Sequence, residues 1–395
     1  MEKRIYESPL LKIDVKILNH KVKLIPRGML SYAAASLLSR ANRMFSQEKP
    51  ISRGEQQIIF STWIPPVPSG AFQRLIAAQV SSALKKRVPE QVSIGITSNC
   101  PNNCIHCSAA NMRSESELEL GEIKSIIDQA LELGCYLITF DGGEPLFRRD
   151  LEAMIKHIDR ERAIAAAFAS GFGLTLDRAK QLKEAGLYAV RISLDSPYEK
   201  VHDRIRGRKG VFKDAVEGIQ NAIEAGLLVD LFIVISPYNI KDLEAFYELA
   251  SNLGVHELSF YEIVAVGRWL SHETEVLTDR DVELLKQFHI AKNKLRKGPR
   301  VTAFPYFMGP EMFGCFAGRK WIHITPSGEV LPCAYTPLSF GNVREEALKV
   351  IWNRFNKHKA YSRAAKSCLM RQLMFRERYI KSIPRDAKLP FRISG

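Results

Sequence analysis

Three cysteines stand within eight residues at Cys100-Pro-Asn-Asn-Cys104-Ile-His-Cys107, directly after an apolar run. Thiolates at this density suit an iron-sulfur cluster or another soft metal, because a disulfide would leave one Cys over and the intervening loops are short. A cubane cluster has four irons, so three cysteines leave one iron without a protein ligand. An open iron can take part in chemistry rather than only store an electron. The alternatives are a zinc site completed by a residue such as His106, or three structural thiols. Zinc motifs usually pair two Cys-x2-Cys halves some distance apart, and no second half lies nearby.

The elements that must position this loop are legible around it. Apolar strand candidates at Val92–Thr97, Tyr136–Phe140, Ile164–Ala169, Tyr188–Leu194, Val229–Ile235 and Glu257–Tyr261 alternate with helical stretches at Leu118–Leu133, Leu151–Ile158, Leu176–Ala185, Val211–Ala225 and Leu243–Leu253. A closing helix follows at Asp279–Leu295. Such alternation implies a parallel sheet with helices outside it, either doubly wound or a partial barrel, and periodicity does not choose between them. The cysteine loop follows the first strand, Asp141-Gly-Gly-Glu-Pro145 follows the second, and Ser193-Leu-Asp195 ends the fourth. In parallel barrels reactive residues gather at the carboxyl ends of strands, where these three signals fall. Gly142 and Gly143 allow close approach of the backbone to a ligand, while Glu144 and Pro145 fix the exit of the turn.

The Cys-x3-Cys-x2-Cys loop together with Gly142-Gly-Glu-Pro145 resembles the radical S-adenosylmethionine (SAM) superfamily, with His106 where that family usually carries an aromatic residue. The resemblance implies a partial (β/α)6 TIM-like barrel, a 4Fe-4S cluster on Cys100, Cys104 and Cys107, and contacts from Gly142, Gly143, Glu144 and Pro145 to the SAM amino group. Ser193 and Asp195 look like the family's Ser-x-Asp, which bonds the ribose or carboxylate of SAM. Arg206 and His106 join the cofactor-binding candidates, whereas His202 and Asp203 equally suit a helix cap or a pair with Arg206. The implied chemistry takes an electron from a ferredoxin or flavodoxin and breaks SAM to a 5'-deoxyadenosyl radical.

Beyond the barrel, Cys315 and Cys333 flank two short apolar runs joined by Pro326-Ser-Gly328, a hairpin that would bring the two thiols together. Phe340-Gly-Asn-Val343, a helix over Glu345–Phe355 and then Cys368 follow. This stretch resembles the SPASM or twitch auxiliary-cluster extension, in part, since a full extension carries more cysteines after the helix. By that resemblance Cys315, Cys333 and Cys368 supply three ligands of a second 4Fe-4S cluster, the fourth being a residue other than Cys or the substrate. Three scattered structural thiols are the alternative. Cys135 reads as a buried thiol.

The remaining features bound these readings. At 395 residues the chain can bury a barrel and accessory regions, no apolar run is long enough to span a bilayer, and seven cysteines fit a reducing compartment. We expect a cytoplasmic protein. The net charge of +14 is concentrated at the C-terminus, where twelve Lys/Arg stand against Glu377 and Asp386 between Asn353 and Gly395. That excess suggests an anionic partner such as membrane lipid, or equally a solvated tail. Aromatics suited to base stacking are sparse there, which argues against nucleic acid. Before residue 90 lie a strand or hairpin over Leu10–Ile25, two amphipathic helices with basic residues, and a Pro-rich connector holding Trp63. They read as a cover for the open side of the barrel, with peripheral membrane contact as the lesser reading.

The expected organisation is a helical leader region at 1–90, a radical SAM core at 91–298, a small auxiliary-cluster domain at 299–370 and a basic tail at 371–395. The expected function is a radical SAM enzyme acting on a peptide, a tetrapyrrole or a membrane lipid. The competing functions are an iron-sulfur electron carrier or scaffold without radical chemistry, and an RNA-modifying radical SAM enzyme.

Overall fold

The structure is a computed structural model that describes all residues except 19, 20, 55, 111, 113–115, 394 and 395. Its N-terminal region is mixed rather than purely helical. Strands β1 (Glu2–Glu7), β2 (Lys12–Leu18) and β3 (Lys21–Arg27) form an antiparallel sheet, followed by α1 (Ser31–Gln47), the short pair β4 (Ser52–Arg53) and β5 (Ile58–Ile59), and α2 (Gly70–Ala83). Alternation in β2 and β3 sends Ile13, Val15, Val22 and Leu24 inward against Leu38 and Phe45 of α1 and Phe72 and Ile76 of α2, so this region owns a separate core. The expected hairpin is β2 with β3. Strand β1 carries four charges in six residues, which hid it from the apolar pattern.

The main sheet is built from β6 (Gln91–Thr97), β7 (Leu137–Gly142), β8 (Ile164–Ala169), β9 (Leu187–Ser193), β10 (Leu228–Ile235), β11 (Glu257–Glu262) and β12 (Arg300–Ala303). These seven strands are parallel and lie side by side in chain order. A doubly wound sheet would reverse its order at a switch point; unbroken order winds one way and curls as an open barrel. Strand β12 continues the six expected units by one. On the other edge β13 (Trp321–Ile324) pairs parallel to β6, and β14 (Val330–Leu331) pairs antiparallel to β13, which is the expected hairpin. The intervening helices α3 (Leu120–Glu132), α4 (Leu151–His157), α5 (Leu176–Ala185), α6 (Glu199–Arg206), α7 (Val211–Glu224), α8 (Leu243–Asn252) and α9 (Asp279–Lys294) cover the outer face. Buried on both faces, β10 reads as a nearly continuous apolar run.

The amino ends of the barrel strands are closed by the connector between β5 and α2. Ser61 and Thr62 each donate a hydroxyl hydrogen bond of 2.8 Å to the Glu257 carboxylate. Trp63 Nε1 donates to Asp230 at 2.9 Å, and its ring lies 3.6 Å from the guanidinium of Arg191, a fully buried cation. Buried charges need such partners, because an unpaired one costs several kcal/mol (about 3–5). The connector of the N-terminal region therefore covers the barrel at its floor.

After the short α10 (Phe304–Phe307), the chain forms the β13–β14 hairpin and α11 (Leu348–Lys357), whose Leu348, Ile351, Trp352 and Phe355 are buried. The basic C-terminal segment folds back onto the body. Buried Arg376 donates to the Ala265 carbonyl at 2.8 Å and pairs with Glu273 at 2.9 Å, Lys381 reaches Glu377 at 2.8 Å, and Arg392 pairs with Glu345 at 2.9 Å. These cations neutralise acidic groups of the fold, so the excess seen in sequence is only partly available to an anionic partner.

Candidate active site

The carboxyl ends of β6, β7, β8, β9 and β11 open on one cavity of about 240 Å³. Cys100, Cys104, Cys107 and His106 line it together with Gly142, Gly143, Glu144, Ser193 and Arg206. Sequence reasoning placed the cysteine loop, the glycine turn and Ser193 at one end of one sheet, and the fold brings them to one space with Arg206. Asp195 lies just behind them, and Pro145 is buried at the start of a short helical turn.

The cysteine loop and the glycine turn are joined through backbone. Gly143 N donates to Thr97 O at 2.7 Å and Glu144 N to Asn99 O at 2.7 Å. A Cβ at Gly143 would lie 2.1 Å from Asn99 O, and Gly142 takes φ +119°, so neither position accepts a side chain. On the other side Asn103 N and Ile105 N donate to the carbonyls of Arg206 and Ile205, both at 2.9 Å. The loop is thus held between the turn after β7 and the end of α6.

Asp195 organises the polar wall. Its carboxylate accepts from Val234 N at 2.9 Å, meets Arg206 Nη2 at 2.7 Å and lies 3.4 Å from His106 Nε2. The Asp195 amide donates to His202 Nδ1 at 3.1 Å. Arg206 holds the Asp195 carboxyl below its usual range against the opposing effect of burial, and burial keeps His106 and His202 neutral, the latter down to about 4. Asp203 accepts from the amides of Gly210 and Phe212 and so caps α7. Glu144 is buried and accepts from Ser170 N at 2.7 Å and Leu146 N at 3.3 Å. Ser170 was missed in sequence, although it follows the third barrel strand, where the rule about strand ends would have found it. Asp141 and His323 Nδ1, 3.5 Å apart, were missed as a pair because one ends β7 and the other sits on β13.

The donor set fits an iron-sulfur cluster. Arg206 Nη1 lies 3.7 Å from Cys104 Sγ, and the Asn102 amide donates to the Cys100 sulfur. Burial, with Cys104, Glu144 and Cys107 adding to it, pushes the Cys100 thiol up to about 11, so a thiolate at that position calls for a bound cation.

A second group of thiols adjoins the cavity. Cys315 and Cys333 are buried, and the sulfurs of Cys315 and Cys368 are in hydrogen-bonding contact. The amides of Leu369 and Ala317 donate to Cys315 Sγ; those of Tyr335 and Thr336, with the Thr336 hydroxyl at 3.3 Å, donate to Cys333 Sγ. Amide and hydroxyl donors aimed at sulfur are what cluster thiolates need. Burial pushes Glu262, at the end of β11 beside Cys368, up to about 7. Cys135 is apart from both groups: fully buried, its thiol reaches the carbonyls of Leu137 at 3.1 Å and Glu90 at 3.5 Å.

Residues 94–250 match the model of the radical SAM superfamily, and residues 315–373 match that of an iron-sulfur cluster-binding domain, SPASM. The chain carries a radical SAM domain joined to a SPASM domain. The AdoMet-dependent heme synthase of Oleidesulfovibrio alaskensis is 27% identical over 283 residues, covering 66% of this chain and 73% of the relative. The PqqA peptide cyclase of Rhizobium meliloti is 29% identical over 297 residues, covering 72% and 79%. Among solved structures, Streptococcus suis SuiB bound to precursor peptide SuiA superposes with a TM-score of 0.57 at 14% identity, over 89% of this chain and 88% of that one. The protein is therefore a radical SAM enzyme with a SPASM extension, and its cofactors are a 4Fe-4S cluster, SAM and auxiliary iron-sulfur. Among the described residues no helix is long and apolar enough to cross a membrane.

Proposed function

We propose that this radical SAM enzyme modifies one side chain of a molecule too large to enter its cavity whole. Cys100, Cys104 and Cys107 hold the SAM-binding cluster, and Cys315, Cys333 and Cys368 hold an auxiliary one. Cluster and SAM together, when bound, supply reductive cleavage of a carbon-sulfur bond and hence a carbon radical, with the electron coming from a ferredoxin or flavodoxin. This chain's residues bind and shield. Gly142 and Gly143 present backbone to the SAM amino group, Ser193 is placed for its ribose or carboxylate, and Arg206 with Asp195 stiffens the wall beneath the cysteine loop.

The observation that carries the reading is the size and lining of the cavity. At about 240 Å³ it lies below the roughly 300–1,000 Å³ of sites that engulf a small molecule, and SAM must share it. Trp63, Phe168, Phe232, Tyr261, Trp321 and Tyr335 give it an apolar, aromatic wall suited to a single inserted group. A peptide residue fits this description. So does one carboxylated arm of a tetrapyrrole, and the relatives named above include a peptide cyclase and a heme synthase.

The test is anaerobic reconstitution followed by reduction with SAM. Formation of 5'-deoxyadenosine is expected; an intact, reduced cluster that yields none would favour an electron carrier instead. Short peptides and porphyrins carrying propionate arms, offered separately, should differ in their stimulation of 5'-deoxyadenosine release. Efficient turnover of a small free metabolite would defeat the single-side-chain reading.

A further inference from the structure

The three cysteines of the SPASM region leave one iron of a cubane cluster without a ligand, and nothing in the cysteine count supplies it. We propose that the Glu262 carboxylate is that fourth ligand. The inference rests on the auxiliary-cluster reading above and concerns how that cluster is closed.

Glu262 is the last residue of β11, so its side chain is set by a barrel strand rather than by a loop, and it is 4% exposed. The Cys368 thiol donates to its carboxylate, and Cys368 in turn touches Cys315. Glu262, Cys368 and Cys315 thus form one continuous group, with Cys333 brought beside it by the hairpin. Oε2 is buried without a hydrogen-bond partner among the described residues. The nearest cation is Arg371, whose Nε stands 3.4 Å away while its Nη2 is taken by Leu277 O at 3.0 Å and Asp279 at 3.1 Å. That guanidinium faces Oε2 and partly balances the carboxylate without hydrogen-bonding it, while the Cys368 thiol meets the same carboxylate.

Burying a carboxylate with an orphaned oxygen is costly unless something binds it. Iron accepts carboxylate oxygen readily, and a charged ligand lowers the potential of a cluster relative to an open site. One other orphaned oxygen lies close, the Tyr361 hydroxyl, which is buried near the same thiols. A neutral phenol must lose its proton to bind, whereas the Glu262 carboxylate already meets Cys368, so Glu262 is the better donor. Lining the central cavity as well, Glu262 stands where the two halves of the molecule meet.

Full-length protein carrying C100A, C104A and C107A isolates the auxiliary cluster and serves as the parent. Anaerobic reconstitution should give about four irons per chain. In this background E262Q, nearly isosteric, is expected to shed one iron on mild ferricyanide oxidation and show the electron paramagnetic resonance signal of a 3Fe-4S cluster, while the parent keeps four. E262C should restore resistance to oxidation and shift the Mössbauer spectrum of one iron in four toward a thiolate site; its folding is checked by circular dichroism. Equal behaviour of the parent and E262Q would overturn the ligand assignment alone. A parent that binds no iron would overturn the auxiliary cluster, and this inference with it.

Discussion

The two thiol groups of this protein differ in how they are made. Cys100, Cys104 and Cys107 come from one loop, clamped between the Gly142–Glu144 turn and the end of α6. Cys315, Cys333 and Cys368 come from three segments, and Glu262 from a fourth, so that group exists only once a barrel strand, a hairpin and the C-terminal segment have come together. The first group lines the cavity, as suits a site that must bind and release a small molecule. The second is walled by amides, hydroxyl and carboxylate, as suits a site that must persist. Contiguity goes with turnover here, and dispersal with permanence.

That contrast can be broken by experiment. The largest effect belongs to C104A, which should abolish 5'-deoxyadenosine formation and remove about half the iron. C333A should also remove about half the iron but keep SAM cleavage measurable in the absence of substrate; loss of cleavage equal to that of C104A would mean that the two sites are one functional unit. Arg206→Lys keeps the charge but not the forked contact with Asp195 and Cys104, and should lower SAM cleavage about tenfold with iron unchanged. Ser170→Ala removes a donor from buried Glu144 and should cost about 1–2 kcal/mol in denaturant unfolding of the metal-free protein, with a rise in the KM for SAM. The smallest effect is reserved for Cys135→Ala, which sharpens the division by leaving iron content untouched and costing about 1 kcal/mol of stability.

Legibility in the sequence followed the same division. The cysteine triplet, the glycine turn and the Ser193-x-Asp195 signal are local, and each could be placed at a strand end by counting apolar runs. The hairpin joining Trp321–Ile324 to Val330–Leu331 was legible for the same reason, because a Pro-Ser-Gly turn marks it. Glu262 was not legible, since it closes an apolar strand as an ordinary polar residue, and only the return of Cys368 gives it meaning. The role of Trp63 was hidden likewise. Its connector reads as extended, but its task depends on Arg191, Asp230 and Glu257, which meet only when three strands lie side by side. The basic C-terminal segment misled for want of partners: Arg376 and Arg392 find theirs in Glu273 and Glu345, on elements remote in the chain or hidden by the fold.

The seal that Trp63 makes beneath the barrel has a kinetic consequence. With the floor shut, traffic in and out of the cavity uses the rim alone, and whatever binds deeper must arrive first and depart last. SAM, held against the cysteine loop, is then the leading reactant and its nucleoside product the final one to leave. Product-inhibition patterns should be those of a compulsory-order enzyme, competitive between SAM and 5'-deoxyadenosine.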